Sequence, residues 1–146
     1  MQKTYYALVA GVPKNKKGII DAPIGIKSGT LKRSVHSEKM AKPAVTEYSV
    51  VRRYGEYALL KVHPRTGRTH QIRVHLASIG HPIVGDMLYG KRTTKKTEIA
   101  HSSQRLMLHA FALEFSDDTG SHFVFEAPLP LEFSGLSTGG DGEGTV

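Results

Sequence analysis

The residues best suited to chemistry lie in one stretch, HPRTGRTHQIRVH, at positions 63–75. It combines Arg65, Arg68 and Arg73 with threonine, histidine and glutamine side chains that can donate or accept hydrogen bonds. Residues 67–69 lead into a predicted helix, and the free backbone N–H groups at a helix N-terminus favour phosphate or carboxylate. The stretch therefore indicates a site for an anionic group.

Arg73 lies beside the apolar positions Ile72 and Leu76 of this predicted helix. A guanidinium at the border of a core is costly unless it meets an anion. One interpretation is an arginine aimed at a carboxylate in an active site. The other is a structural salt bridge, or a surface arginine whose aliphatic stem covers the core.

A second candidate is the run Lys3-Thr4-Tyr5-Tyr6 in a predicted strand. Neighbouring strand residues point to opposite faces, so one tyrosine is expected in the core and the other in a cleft or in solvent. A cleft tyrosine can stack on a nucleobase and can transfer a proton. The alternative is a pair of ordinary strand tyrosines.

Histidines recur through the chain, which raises the question of a metal site. His70 and His75 do not have the i, i+4 spacing of a helical zinc pair, and the chain has no cysteine. We therefore expect no metal. The motifs GxxxxGKS/T, GxGxxG and GxSxG are also absent, so nucleotide hydrolysis and hydrolase chemistry are not supported.

The 146 residues carry a net charge of +7 with a pI near 9.7, which suits nucleic acid but also an ordinary basic protein. The lack of cysteine fits a reducing compartment, and we expect a cytoplasmic location. No apolar run approaches the ~20 residues of a membrane-spanning helix, and the N-terminus has no secretory h-region. We expect no membrane partner.

Hydrophobic periodicity predicts an α+β domain over residues 1–133, with a mostly antiparallel sheet and one clear helix. The helix is predicted over about 70–79, with Thr69 as its N-cap and Gly80 after its end. The first strand is expected to leave an exposed edge, because almost nothing precedes it. The predicted strands are 3–12, 19–26, 45–54, 57–62, 106–115 and 122–127, with hairpins joining the third to the fourth and the fifth to the sixth.

Three segments are predicted to be irregular. Residues 27–43 and 91–105 are rich in lysine and arginine and are expected to be solvated basic loops that could contact phosphates. Residues 134–146 form a Gly-rich tail that is expected to be disordered.

Residues 63–90, HPRTGRTHQIRVHLASIGHPIVGDMLYG, closely resemble the signature of the RluA group of pseudouridine synthases. The resemblance extends over about residues 3–130 and implies the catalytic fold of that family. Four further segments match it in the same order: KTYYALVAG (3–11), KPAVTEYSVV (42–51), RLMLHAFALEF (105–115) and FEAPLP (125–130).

The resemblance implies an enzyme that isomerises uridine in rRNA or tRNA to pseudouridine, without cofactor or metal. An aspartate is the nucleophile in this family. By match to the family pattern, Tyr5 stacks on the uracil and takes the proton from carbon 5, and Arg73 pairs with the catalytic aspartate. The residues expected to bind substrate or RNA are Lys3, Arg68, Thr69, His70 and Gln71.

The family's aspartate belongs to an HRLD-type motif before the tyrosine strand, and no HRLD occurs in this sequence. Asp86 lies inside the signature and is expected to be structural, so Arg73 is expected to lack its anion. The leading hypothesis is a truncated or split C-terminal part of a synthase, which acts with an N-terminal half that carries HRLD. The alternatives are a non-catalytic RNA-binding remnant, and a small enzyme that uses another aspartate, such as Asp21 or Asp86.

Overall fold

The computed structural model describes residues 1–27, 32–90, 105–131 and 133. The second basic loop lies almost entirely outside these residues, and the Gly-rich tail lies outside them altogether. In chain order the elements are β1 (Gln2–Ala10), β2 (Lys17–Asp21), β3 (Gly25–Ile26), β4 (Arg33–Ser34), β5 (Val45–Tyr54), β6 (Tyr57–Pro64), α1 (Gln71–Ser78), β7 (Leu108–Ser116) and β8 (His122–Glu126).

The predicted α+β class is confirmed. Six strands form one antiparallel sheet in the order β2-β5-β6-β1-β7-β8, and β3 pairs with β4 in a separate small sheet. Both predicted hairpins are present, as β5–β6 and β7–β8. No helix in the described residues is long and apolar enough to cross a membrane.

The expectation that the first strand forms an exposed edge is wrong. β1 lies inside the sheet, with β6 on one side and β7 on the other. Its residues Ala7, Leu8 and Val9 are all fully buried. A run of consecutive apolar residues is typical of a strand that is covered on both faces, and such a strand belongs in the middle of a sheet.

The main core lies between the sheet and α1. Leu8 and Leu60 contribute from the sheet, and Ile72 and Leu76 contribute from the helix. Phe133, which is 1% exposed, belongs to the same core and therefore ties the end of the described chain to the sheet. Burial of each large apolar side chain contributes roughly 1.5–3 kcal/mol, so this contact holds α1 in a fixed position over the sheet.

The start of α1 differs from the prediction. Thr69 is not its N-cap; the N-cap position is His70, which has a left-handed backbone (φ 57) and makes no side-chain capping hydrogen bond. Instead, the side-chain oxygen of Gln71 accepts hydrogen bonds from the Thr66 hydroxyl (2.6 Å) and the Arg68 backbone N–H (3.0 Å). The loop before the helix is thus held by a residue of the first turn.

The end of α1 is as predicted. Gly80 has φ +85 and donates its N–H to Ala77 O at 3.0 Å, and His81 donates its N–H to Leu76 O at 2.9 Å. These two bonds are those of a Schellman motif, in which the left-handed residue is normally glycine.

The segment 27–43, expected as a solvated loop, is partly structured. β4 lies in this segment and pairs with β3, which comes just before it, and Lys42 pairs with Ile24. The reason is a second small core, which packs this part of the chain against α1. Its buried members are Ile24, Ala44 and Val74, with Val35 and Tyr89 packed at its rim.

Candidate active site

A cleft of about 300 Å³ opens where the start of β1 passes the loop between β6 and α1. It gathers six of the seven predicted site residues; Thr69 does not line it. An adjoining, more apolar cleft of about 330 Å³ runs over β7 and β8 and shares Lys3 and Tyr5 with the first. The predicted residues that line the first cleft are Lys3, Tyr5, Arg68, His70, Gln71 and Arg73.

The two tyrosines of β1 have different surroundings. Tyr5 lines both clefts. Tyr6 packs edge-on against Phe111, with 5.0 Å between ring centroids. Burial, and then the nearby Glu126 carboxylate, raise the pKa of Tyr6. Both tyrosines are half-buried, so neither lies in the core, contrary to expectation. Tyr5 is the one that lines the clefts, and its contact with a uracil stays a prediction.

Arg73 does not lack an anion, contrary to expectation. Its Nε and Nη2 atoms donate to the two carboxylate oxygens of Asp86, at 3.0 and 2.9 Å. The side chain of Arg73 is 21% exposed and that of Asp86 is fully buried. These hydrogen bonds raise the pKa of Arg73, although burial works against them. In this chain Arg73 therefore forms the structural salt bridge that was the alternative interpretation.

The Asp86 carboxylate connects α1 to the chain around Leu88 through hydrogen bonds. Besides Arg73, its Oδ1 atom accepts the backbone N–H groups of Leu88 and Tyr89, both at 3.0 Å. Burial alone would raise the pKa of Asp86, but the hydrogen bonds from Arg73, Tyr89 and Leu88 hold it below the usual value. The carboxylate is charged and occupied, which agrees with the expected structural role.

His70 is held from one side by Tyr89. Its Nδ1 atom lies 2.7 Å from the Tyr89 hydroxyl, and the two rings pack edge-on at 5.5 Å. Burial, and then the positive charges of Arg73 and Arg33, lower the pKa of His70. The imidazole at the wall of the cleft is therefore neutral at pH 7.

Gln71 lines the cleft, but both ends of its amide are bound within the chain. While its oxygen holds the loop before α1, its Nε2 atom donates to Val45 O and to Thr46 Oγ1, both at 2.9 Å. The Thr46 hydroxyl meets His75 Nδ1 at 2.7 Å, and His75 Nε2 meets Ala22 O at 2.9 Å. This buried chain of hydrogen bonds joins α1 to β5 and to the turn after β2. An RNA contact for Gln71 stays a prediction.

Arg68 and Lys3 are the cations that remain at the cleft. Arg68 Nε donates to Pro43 O at 2.8 Å, which directs the side chain along the loop. Lys3 is exposed, and its ammonium lies about 4.0 Å from where a side chain on Gly67 would begin. Among the described residues, neither Arg68 nor Lys3 forms a salt bridge with an acidic side chain, whereas Arg65 pairs with Glu47 and Arg73 with Asp86.

No cluster of three or more histidine, cysteine, aspartate or glutamate side chains suited to a metal occurs in the part of the chain that the structure describes. Two residues of the site were not singled out from the sequence. Tyr89 lies inside the signature, but no spacing rule connects it to His70. Thr46 sits in an ordinary strand pattern, and only the fold brings it to His75.

A family model described as RNA pseudouridylate synthase matches residues 1–78, which is more than half of the chain. The chain belongs to this family. A ribosomal large subunit pseudouridine synthase D from Nitrosomonas europaea is 41% identical over 145 residues, covering 93% of this chain and 40% of the relative. An uncharacterised RNA pseudouridine synthase from Aquifex aeolicus is 43% identical, covering 92% of this chain and 44% of the relative.

Solved structures agree. Human RNA pseudouridylate synthase domain containing 1 superposes with a TM-score of 0.75 at 30% identity, covering 87% of this chain and 54% of the human chain. Human RNA pseudouridylate synthase domain containing 4 gives 0.71 at 27% identity, covering 90% and 59%. The chain spans between 40% and 44% of the two curated relatives named above.

Proposed function

We propose that this chain forms the tyrosine-bearing wall of the uridine pocket of an RNA pseudouridine synthase. One observation carries the proposal: a single cleft brings Tyr5 together with Arg68, Lys3 and His70. An aromatic ring offers a stacking surface for a base, and unpaired cations beside it suit the phosphates of the same nucleotide chain. Ribosomal RNA is the proposed substrate class, because relatives are named as ribosomal large subunit enzymes.

The reaction is an isomerisation, so its atoms balance without a co-reactant. The bond from ribose C1′ to uracil N1 breaks, and a bond from C1′ to C5 forms. The proton leaves C5 and N1 gains one. Tyr5 is the proposed acceptor of the C5 proton, and Arg68 and Lys3 are the proposed phosphate contacts.

A nucleophilic carboxylate is the part that the described cleft does not contain. No aspartate or glutamate is among the residues that line the cleft beside Arg73, and the buried Asp86 carboxylate accepts hydrogen bonds from Arg73 and from two backbone N–H groups. We propose that the carboxylate comes from a segment with an HRLD motif, bound against this wall. The matched relatives contain additional sequence that could supply it.

The proposal is tested with RNA that carries tritium at C5 of uridine. The chain is assayed alone and with the part of the Nitrosomonas relative that this chain does not match, which is the proposed source of the HRLD motif. Tritium release from the mixture, and none from either part, is the expected result. Release by the chain alone would show a nucleophile within it, and no release from a mixture that forms a complex would refute the split-site proposal.

The phosphate contacts have a matched control in the same loop. Arg68→Ala and Arg65→Ala remove the same charge, but Arg65 is paired with Glu47 at 2.8 Å. Arg68→Ala is expected to weaken RNA binding and to reduce the slope of log K against log salt by about 1. Arg65→Ala should leave both nearly unchanged. Equal effects would mean that net charge, and not this cleft, attracts the RNA.

A second candidate function is RNA binding without catalysis. The Arg73–Asp86 pair favours it, because the arginine expected to meet the nucleophile is already neutralised. Salt-dependent RNA binding together with no release from any mixture would support this candidate. A cytoplasmic location is proposed for either function.

A further inference from the structure

Tyr89 is the residue that connects the separate parts of the cleft wall. Its hydroxyl meets His70 Nδ1 at 2.7 Å and accepts the backbone N–H of Arg33 at 3.0 Å. Its ring lies under the guanidinium of Arg73, 5.2 Å from the centroid. Its own backbone N–H binds Asp86. One side chain therefore touches the helix start, the β3–β4 hairpin and the buried ion pair.

The Tyr89 hydroxyl bears on which nitrogen of His70 carries the proton. A hydroxyl has one hydrogen to donate and two lone pairs. The Arg33 N–H takes one lone pair, and among the described residues His70 Nδ1 is the acceptor within reach of the hydroxyl hydrogen. When the hydroxyl donates to Nδ1, the neutral imidazole carries its proton on Nε2.

The Nε2–H group is the part of His70 left for a ligand. No acceptor within the described ranges takes it, and His70 lines the cleft together with Arg68. Arg33 and Arg73 are close enough to His70 to lower its pKa. Arg68 lines the same cleft and forms no salt bridge among the described residues, so a neutral donor beside it suits an oxygen that carries negative charge.

The backbone of His70 adds to the case. His70 has a left-handed conformation (φ 57), which is uncommon for residues other than glycine and asparagine. Such a conformation costs free energy unless the surroundings maintain it, and it is found more often at functional sites. Here it brings the imidazole against Tyr89 at the wall of the cleft.

We propose that Tyr89 is a positioning residue, which holds His70 as the Nε2–H tautomer so that it donates a hydrogen bond to a phosphate oxygen of bound RNA. The phosphate ligand in this inference rests on the proposed function. The tautomer of His70 does not depend on it. The tautomer can be measured in the free protein, so the two parts are tested separately.

The first measurement is the tautomer. Nitrogen-15 spectra of histidine-labelled protein at pH 8 distinguish Nε2–H from Nδ1–H through the chemical shifts of the ring nitrogens. In the wild type, His70 is expected to be predominantly Nε2–H. In Tyr89→Phe, which keeps the ring beneath Arg73, the two forms should be mixed. A predominant Nδ1–H form in the wild type, or an unchanged spectrum in Tyr89→Phe, would overturn the proposal.

The second measurement is RNA affinity in a double-mutant cycle. Tyr89→Phe is expected to weaken binding of a uridine-containing RNA about 5-fold, the loss of roughly one oriented hydrogen bond, without changing the salt slope. His70→Gly tolerates the left-handed backbone and removes the side-chain donor. If Tyr89 acts through His70, Tyr89→Phe should have no further effect in His70→Gly.

The outcomes separate the two claims. A shifted tautomer with unchanged affinity, or additive effects of the two substitutions, would overturn the role of His70 toward phosphate. Wild-type protein that fails to bind RNA at all would refute both the proposed function and the phosphate contact, while the spectra would still decide what Tyr89 does. If Tyr89→Phe weakens RNA binding only in proportion to a lower thermal midpoint of unfolding, Tyr89 has a structural role only. That outcome would also overturn the proposal.

Discussion

Substitution of Asp86 by asparagine tests whether the buried ion pair is a structural anchor. The new side-chain amide would keep one acceptor oxygen for the N–H groups of Leu88 and Tyr89. Its NH2 group would face the Nε–H of Arg73, donor against donor, where a carboxylate oxygen now accepts at 3.0 Å. Loss of a hydrogen bond between charged groups costs roughly 1.5–3 kcal/mol, and removal of one partner of a buried pair costs about 3–5 kcal/mol.

We expect a loss of about 3 kcal/mol, because the 21% exposure of the Arg73 side chain lets water partly replace the lost partner. Urea unfolding measures it, with the m-value as a check that the unfolding transition is unchanged. The matched control is Glu47→Gln, which breaks an ion pair whose side chains are 62% and 31% exposed and should cost less than about 1 kcal/mol. If Asp86→Asn costs no more than Glu47→Gln, the reasoning is wrong.

A glycine and a buried histidine outside the cleft should also be sensitive to substitution. Gly85→Ala should destabilise by more than about 3 kcal/mol, since φ is +83 and the new Cβ would clash with Arg105 O. Gly55→Ala, with φ +61 and open space around it, should cost only about 1–2 kcal/mol, and equal unfolding midpoints for the two variants would refute the clash. Burial lowers the pKa of His75, so the unfolded chain binds more protons than the folded one, and stability should fall as pH drops below about 6.5. Urea unfolding between pH 8 and 5 should show a smaller pH dependence of stability in His75→Gln than in the wild type. Thr46→Val, which removes the hydroxyl that donates to His75, should cost about 1–3 kcal/mol of stability at pH 8.

Local patterns predicted much of the fold. Alternating and continuous apolar runs located the long strands, and Gly80 marked the end of α1 because few residues other than glycine accept a left-handed backbone there. The position of β1 could not be predicted in this way, since strand order depends on pairing between distant segments. Thr69 was a reasonable N-cap by residue type, but Gln71 holds the loop from within the helix.

The site was predicted in part. The signature contains Arg68, His70, Gln71 and Arg73, which line the cleft together because a short loop and the first turns of a helix keep neighbours in sequence close in space. Lys3 and Tyr5 come from β1, outside the signature. Arg73 was correctly expected to seek an anion, but its partner Asp86 lies beyond a turn whose geometry no spacing rule describes. The contribution of Tyr89 depends on the strand pair at Arg33, which packs against the same cleft wall. The sequence predicted a solvated loop there, so this contact was not expected.

If the cleft at Tyr5 is the uridine pocket, two matched tyrosine variants should differ in activity. In the mixture with an HRLD-bearing segment, Tyr5→Phe keeps the ring but removes the proposed proton acceptor, and Tyr6→Phe makes the same change one residue along β1. Tyr5→Phe is predicted to slow tritium release by roughly 10²–10⁴-fold with little change in RNA affinity, and Tyr6→Phe to stay near the wild-type rate. Equal rates for the two variants would contradict the account.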